Sequence, residues 1–373
     1  MIVGVVGGGQ LARMMIPAAV ELGVELRVLA EAEGMSAALA ATAVGDYRDA
    51  DTVLAFAEGV DVITFDHEHV PQEVLRRLVD AGHRVHPGPD ALRFAQDKRA
   101  MRLRCEELGA PQPAWAPVDR REDLERFLAD YGGTGVVKTA TGGYDGKGVR
   151  VVRDASAADD WLAGAAAGGP RLLVEELVPF SRELAQLVAR RPSGETVVWP
   201  LVQTVQRDSI CAEVLAPAEA TSRIQPLVDD VARTIATELG VTGVLAVELF
   251  ETSDGRVLVN ELAMRPHNSG HWTIDGSMTS QFEQHLRAVL DLPLGSTAIL
   301  APASVMVNII GGPSSGSMAD RYASALASHP DVKVHSYAKA ARPGRKVGHV
   351  TAIGDDLDEV AYRARAAAAH FDA

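Results

Sequence analysis

Two apolar runs, Val244-Leu245-Ala246-Val247-Glu248-Leu249-Phe250 and Val257-Leu258-Val259-Asn260-Glu261-Leu262, flank Asp254-Gly255, and each carries one glutamate. Asp-Gly between apolar strands is a two-residue hairpin signal. With that turn, Ser253 pairs with Arg256, and counting outward brings Glu248 opposite Glu261. Like charges directly across a hairpin destabilise it, so two acids facing each other in apolar strands need a counter-ion. A divalent cation supplies one. Mg²⁺, with Mn²⁺ as an alternative, takes one or two carboxylates together with phosphate oxygens, and Asn260 offers a further oxygen. The competing reading is a bulged register with one glutamate in solvent.

The run continues as Ala263-Met264-Arg265-Pro266-His267-Asn268-Ser269-Gly270-His271-Trp272-Thr273, too polar for a packed strand. Arginine grips a planar anion through two parallel hydrogen bonds, and histidine is the side chain that moves protons near neutrality. About a hundred residues upstream, Val136-Val137-Lys138 ends one strand and Val149-Arg150-Val151-Val152 starts another. Between them lie Gly142, Gly143, Tyr144, Asp145, Gly146, Lys147 and Gly148. This is a glycine flap between strands and lacks the spacing of a strand-to-helix phosphate loop. Its amides and the Lys138 ammonium suit a triphosphate. Downstream, Leu172-Leu173-Val174-Glu175-Glu176-Leu177-Val178 is an apolar strand meeting acids, with backbone groups to offer a purine edge.

At the N-terminus, Ile2-Val3-Gly4-Val5-Val6 reads as a buried parallel strand. Gly7-Gly8-Gly9-Gln10-Leu11-Ala12 leads from it into a helix with Leu11, Met14, Met15, Ala18 and Leu22 on one side. The loop fits a relaxed dinucleotide fingerprint, with Glu31 near the end of the second strand. Phosphate binding at the helix start is the broader expectation. Strand, helix and strand alternate to about residue 86, which describes an α/β domain. A helix is expected over 91–108. Beyond 135 the texture becomes α+β, with strands at 135–140, 149–153, 172–178, 183–190, 196–204 and two near 245–262. Leu292-Pro293-Leu294-Gly295 opens a C-terminal portion with strands at 304–309 and 332–337. The division expected is 1–95, 96–295 and 296–373.

The chain has 373 residues, enough for two or three domains. Its net charge of -14 argues against a nucleic-acid coat. The two cysteines, Cys105 and Cys211, form no metal or disulfide pattern. No apolar run reaches the roughly 18 residues of a membrane span. A cytoplasmic protein with no nucleic-acid or membrane partner is expected. His83, His285, His335 and His370 read as solvated or core residues.

In this order, the pieces resemble the ATP-grasp superfamily and, within it, the 5-(carboxyamino)imidazole ribonucleotide synthases. The residues that carry the likeness are Gly8-Gly9-Gln10-Leu11, Thr64-Phe65-Asp66-His67-Glu68-His69-Val70, the flap, the run over 259–273 and Arg342-Pro343-Gly344-Arg345-Lys346-Val347-Gly348-His349. The resemblance implies an N-terminal Rossmann-like domain, an ATP-grasp domain of two subdomains, a small β-rich C-terminal domain and a homodimer. It implies ATP as co-substrate, with Lys98, Lys138 and flap residues 142–148 on its phosphates. Glu175, Glu176, Leu177 and Val178 would contact adenine, and Glu183 the ribose. Gln206, Asn260 and Glu261 would complete the nucleotide site, and Glu248 and Glu261 would hold Mg²⁺. Gln10, Glu68, Tyr144, Asp145, Lys147, Lys339, Arg345 and Lys346 would surround 5-aminoimidazole ribonucleotide. Arg265, His267 and Asn268 would meet bicarbonate and carboxyphosphate, with Asp145 at the reacting amine and His271 and Trp272 behind.

Three positions depart from the family pattern. Gln206 stands for a histidine, Asp66 for a glutamate and Met264 for a proline. The implied reaction is ATP-dependent carboxylation of the ribonucleotide's exocyclic amine. Alternatives are another ATP-grasp carboxylase or ligase with a phosphorylated acceptor, an NAD-linked dehydrogenase built on the Gly7 loop and Glu31, or a non-catalytic nucleotide sensor.

Overall fold

The computed structural model describes residues 1–143 and 147–372. Four strands, β1 (Ile2–Val6), β2 (Glu25–Ala30), β3 (Ala41–Val44) and β4 (Val62–Phe65), form a parallel sheet in the order β3-β2-β1-β4. β1 lies between two neighbours with helices on both faces, which is why its side chains are apolar throughout. The helix Gln10–Leu22 follows β1 and ends at Gly23, whose φ of 66° closes it in the left-handed conformation. β3 and the helix Ala50–Ala57 were not anticipated from the sequence. Ala41-Thr42-Ala43-Val44 is too short and too mixed to signal a strand.

The second sheet, β5 (Trp115–Val118), β6 (Gly135–Thr139), β7 (Val149–Val152) and β8 (Leu172–Glu176), is antiparallel in the order β5-β8-β6-β7. Helices Arg121–Asp130 and Asp159–Ala166 cover one face over Leu124, Phe127, Val137 and Val174. The flap joins β6 to β7, so it rides on an edge pair of this small sheet.

The remaining strands are β9 (Phe180–Arg190), β10 (Thr196–Val198), β11 (Val202–Arg207), β12 (Ile210–Ala216), β13 (Gly243–Thr252), β14 (Val257–Ala263), β15 (Ala303–Ile310), β16 (Lys333–Ser336) and β17 (Lys346–Gly354). They form one sheet in the order β14-β13-β9-β11-β12-β15-β17-β16, with β10 on β9. The sheet runs without interruption across the division expected at 295/296, because β12 pairs with β15. The C-terminal portion therefore extends the central sheet. β12 and β17 were not anticipated, and 196–204 divides at Pro200 into β10 and β11.

The three parts share cores. Leu11, Met15 and Val28 of the N-terminal part pack with Phe282, Leu286 and Val289 of the helix Gln281–Val289. Each such side chain contributes about 1.5–3 kcal/mol by leaving water. From the C-terminal part, the Ser336 carbonyl accepts from Arg13 Nε at 3.0 Å, and Ser36 Oγ donates to the Tyr337 carbonyl. The cleft is thereby walled by segments far apart in sequence.

The helix expected over 91–108 is two helices, Pro89–Gln96 and Lys98–Glu107. Asp97 is extended (φ -127°, ψ 107°), and its carboxylate accepts from the Arg99 and Ala100 amides. An N-terminal cap in mid-run ends one helix and starts the next. The break places Lys98 at the first position of a new helix, pointing toward the central sheet.

Candidate active site

The hairpin β13–β14 brings Glu248 opposite Glu261, by a route other than the expected one. The turn is not two residues. Ser253, Asp254 and Gly255 form the loop, with the Thr252 amide donating to the Arg256 carbonyl at 2.9 Å and Gly255 at φ 82°. Pairs Glu251–Val257, Phe250–Leu258 and Leu249–Val259 follow, a register that continued would set Glu248 against Asn260. A bulge at Asn260 restores Glu261. Two offsets of one residue cancel.

The bulge is braced from behind. Arg102, fully buried, donates from Nη1 to the Val259 carbonyl at 2.6 Å and from Nη2 to the Asn260 carbonyl at 2.9 Å. Its Nε reaches Glu175 Oε1 at 2.8 Å, and Glu175 Oε2 takes the Lys138 ammonium at 2.7 Å. Burial has the largest influence on Glu175 and would raise its carboxyl, but Lys138 and Arg102 outweigh it and hold it below the ordinary range. On Lys138 burial wins, and the ammonium is pushed down. Glu175 was expected at adenine. Its carboxylate is committed to anchoring Lys138 and Arg102. Arg102, one helical turn after Lys98, was missed; the i, i+4 spacing of the two cations was the available signal.

Lys98 Nζ pairs with Glu261 Oε1. His267 Nε2 lies 3.0 Å from Glu248 Oε1. The Ser269 amide donates to His267 Nδ1 at 3.3 Å, so a neutral ring carries its proton on Nε2, toward Glu248. Burial would raise the Glu248 carboxyl, but the His267 hydrogen bond, with the Arg265 and Lys98 charges, outweighs it and lowers it. Gln281 braces the His267 backbone from both sides: Oε1 accepts from its amide and Nε2 donates to its carbonyl, each at 2.8 Å. His271 and Trp272 are fully buried.

Glu68, expected at the ribonucleotide, accepts from the Met264 amide at 2.8 Å and from Arg265 Nε at 3.0 Å. It aims the arginine. Asp66 Oδ1 takes the Ala12 amide at 2.7 Å, and a Cβ on Gly9 would lie 2.0 Å from Asp66 Oδ2, which leaves that position to glycine. Glu31 Oε2 takes the Gly8 amide at 2.9 Å. Burial would raise Glu31, but the His67 and Gly8 hydrogen bonds bring it to about 2. Carboxylates thus occupy two amides of the first glycine loop, against the expectation that the loop itself cradles phosphate.

A cleft of about 620 Å³ gathers Gln10, Glu68, Lys98, Gly142, Gly143, Glu248, Glu261, Arg265, His267, Asn268, Lys339 and Lys346. Lys339 Nζ donates to Gln10 Oε1 at 2.7 Å. Burial pushes the Lys339 ammonium down, Asp66 pulls it up, and the Arg345 and Lys346 charges push it down again, so three cations gather at this end. Arg345 does not line the cleft and donates to the Ala340 carbonyl at 3.4 Å. Glu176, Leu177, Val178, Glu183, Gln206, Asn260, Lys138, Lys147 and Gly148 also lie outside its lining. Gln206 hydrogen-bonds Glu183, whose carboxyl burial raises. Tyr144, Asp145 and Gly146 lie outside the described residues. Glu248 and Glu261 present carboxylate oxygens to the cleft, which fits Mg²⁺ or Mn²⁺, while the Asn260 amide oxygen accepts from Lys138 Nζ at 3.4 Å.

The sequence matches three family models: the ribonucleotide synthetase preATP-grasp domain over residues 1–96, the ATP-grasp domain over 103–282, and the phosphoribosylaminoimidazole carboxylase C-terminal domain over 304–363. It is 50% identical over 372 residues to the N5-carboxyaminoimidazole ribonucleotide synthase of Mycobacterium tuberculosis strain H37Rv, covering 98% of this chain and 87% of that protein. It is 48% identical over 377 residues to the synthase of Corynebacterium ammoniagenes, covering 98% and 91%. Among solved structures, an ADP complex of an N5-carboxyaminoimidazole ribonucleotide synthetase superposes with a TM-score of 0.89 at 35% identity, covering 98% and 96%. The Aspergillus clavatus enzyme with ADP and 5-aminoimidazole ribonucleotide superposes with a TM-score of 0.88 at 31% identity, covering 99% and 98%. With its three-part fold, its paired glutamates and this identity along nearly the whole length, the chain belongs to the N5-carboxyaminoimidazole ribonucleotide synthase family of ATP-grasp ligases.

Proposed function

We propose that the chain joins bicarbonate to the exocyclic amine of 5-aminoimidazole ribonucleotide at the expense of ATP, a step of purine biosynthesis. ADP and phosphate leave, and carboxyphosphate is the intermediate. One observation carries this reading. The Glu248–Glu261 pair, the braced Arg265 and the Lys339–Lys346 cations open into a single cleft. Phosphoryl-transfer groups at one end therefore face a phosphate-binding end across a space of substrate size.

A bicarbonate oxygen attacks the γ-phosphorus, and positioning with charge neutralisation supplies most of the catalysis. Lys98 and Lys138 take charge on the phosphates, with Lys138 held in place by Glu175. Glu248 and Glu261 would hold Mg²⁺ or Mn²⁺, which when bound neutralises phosphate oxygens. Arg265, aimed by Glu68, binds the carboxylate, with Asn268 beside it. Lys339 and Lys346 hold the ribonucleotide phosphate, with the Arg345 charge behind them, and Gln10 contacts the ribonucleotide. The amine attacks the activated carbon and loses a proton, while the carbon–oxygen bond to phosphate breaks. Asp145 is the proposed proton acceptor. Exclusion of water from the cleft protects the intermediate.

Residues 1–95, 96–295 and 296–373 are the proposed domains. A homodimer in the cytoplasm is the proposed assembly and setting. Among the described residues no helix is long and apolar enough to cross a membrane.

The test is ADP release with Mg-ATP and labelled bicarbonate, with and without 5-aminoimidazole ribonucleotide. Strong stimulation, with one labelled carbon retained in an acid-labile product, is expected. ATP cleavage indifferent to the ribonucleotide would point to another acceptor. The dehydrogenase alternative loses its acid, since Glu31 is engaged by the Gly8 amide and His67.

A further inference from the structure

Two polar side chains, Ser304 and Asn308, interrupt the apolar strand β15, and Asn308 is 6% exposed. Its Nδ2 donates to the Cys211 carbonyl at 2.9 Å and to Asn268 Oδ1 at 3.1 Å. These contacts settle the orientation of both amides. A backbone carbonyl only accepts, so the Asn308 atom facing Cys211 must be the NH₂ group. That group has two hydrogens. The second meets Asn268, so the Asn268 atom receiving it must be the oxygen. Asn268 is then left with its own NH₂ turned the other way. This nitrogen is buried and finds no partner of hydrogen-bonding geometry among the described residues, although the Cys211 thiol, a weak acceptor, lies against Asn268. Asn268 lines the cleft beside Arg265 and His267. Behind Asn308, Tyr337 Oη donates to Asn308 Oδ1 at 3.5 Å and lies 2.8 Å from His349 Nδ1, so the amide is held on its far side as well. A buried donor left without an acceptor costs about 1–3 kcal/mol, and an anionic oxygen in the cleft would relieve that cost.

We propose that Asn308, from the C-terminal part of the chain, is a positioning residue for the carboxylation. It reads the Cys211 carbonyl and thereby locks Asn268 as a hydrogen-bond donor to an oxygen of bicarbonate or carboxyphosphate. This deepens the function proposed above and rests on it. The extension of the central sheet through β15 then has a chemical consequence. It brings an amide from one part of the chain to orient a cleft residue of another.

The test compares Asn308→Ala, Asn268→Ala and the double variant in steady-state assays with bicarbonate varied and ADP and carboxylated product both counted. Asn308→Ala is expected to raise the bicarbonate KM about tenfold, the effect of losing one hydrogen bond of this kind, and to release ADP in excess of product. KM for ATP and for the ribonucleotide should stay near wild type, a split that general loosening of the fold would not give. Because Asn308 acts through Asn268, the double variant should be no worse than Asn268→Ala. Additive losses overturn the proposal, as does an unchanged bicarbonate KM in folded Asn308→Ala. A silent Asn268→Ala overturns the bicarbonate assignment itself, and the positioning role with it. A silent Asn308→Ala beside an impaired Asn268→Ala overturns the positioning role alone. If Asn308→Ala does not accumulate as folded protein, Asn308→Asp, nearly identical in shape, is judged by the same outcomes.

Discussion

Glu175 on β8 and the pair Glu248 and Glu261, on β13 and β14, treat their charge in opposite ways. Glu175 is closed off: each carboxylate oxygen has a basic partner, Arg102 or Lys138, and almost none of it meets solvent. Glu248 and Glu261 are open. They face each other across a hairpin, each with a single ion-pair partner among the described residues, His267 or Lys98, and both line the cleft. A buried carboxylate with all its partners in place is part of the scaffold. Two carboxylates facing each other at the edge of a cavity are poised for something that arrives. The closed set serves the open one, since Arg102 also braces the Asn260 bulge that brings Glu261 into register.

The sharpest break of this comparison is Glu261→Gln, which keeps shape and removes charge. Turnover measured by ADP release should fall roughly a hundredfold or more, the scale for losing one preorganised electrostatic group. The thermal midpoint should stay close to wild type, because the substitution removes a like-charge repulsion along with the Lys98 pair. Normal turnover would refute the metal assignment.

Arg102→Met should invert the pattern. It leaves Glu175 buried with only Lys138 and frees the bulge carbonyls. Breaking a buried pair by removing one partner costs about 3–5 kcal/mol, and the remaining Lys138 places the expectation at the low end. The midpoint of thermal unfolding should drop well below that of Glu261→Gln. Equal stability of the two variants would mean that the closed network is not scaffold.

The open set was legible in the sequence and the closed one was not. Glu248 and Glu261 stand out because a charge in an apolar strand conflicts with its surroundings, and conflict can be seen locally. The exact turn was not legible. Asp254-Gly255 signals a hairpin whether its loop has two residues or three, and the compensating bulge depends on Arg102, which arrives from another helix. Glu175 looked like a ligand residue because nothing in its own segment names Arg102 or Lys138 as partners. The same limit hid β12 and β17, whose alternation of polar and apolar residues is weak, and Asn308, whose meaning lies entirely in what it touches. The glycine loop shows the converse. Its local pattern suits phosphate, yet Glu31 and Asp66, from the ends of two other strands, already hold its amides. Short-range patterns revealed elements and cleft residues, whereas contacts between elements decided which polar groups remain free.

The smallest expected effect separates scaffold from site by pH. His285 is fully buried, accepting from the Val244 amide at Nδ1 and meeting Thr64 Oγ1 through Nε2. Burial first, and then the His86 charge, lowers it from 6.5 to about 3. Its neutral form is therefore the folded form. Between pH 6.5 and 3 the unfolded chain binds a proton there that the folded chain refuses. Stability rises with pH across that window, is complete above about 6.5, and is lost as pH falls. Each unit is worth about 1.4 kcal/mol at most, so the thermal midpoint should slide downward from pH 6.5 toward 4.5. His86, lowered to about 4 by burial and then by Arg84, adds to the slope. The Glu175 network enters later. Its carboxyl is held below 4.5, so its contribution is present above that pH and lost only below it. A His285→Gln variant should therefore flatten the profile between pH 6.5 and 4.5, while Glu261→Gln leaves that portion as steep as wild type. A profile from His285→Gln as steep as the parent's would show that acid sensitivity belongs to another group, and that the junction between the N-terminal sheet and the helix Gln281–Val289 is not where protons first loosen the molecule.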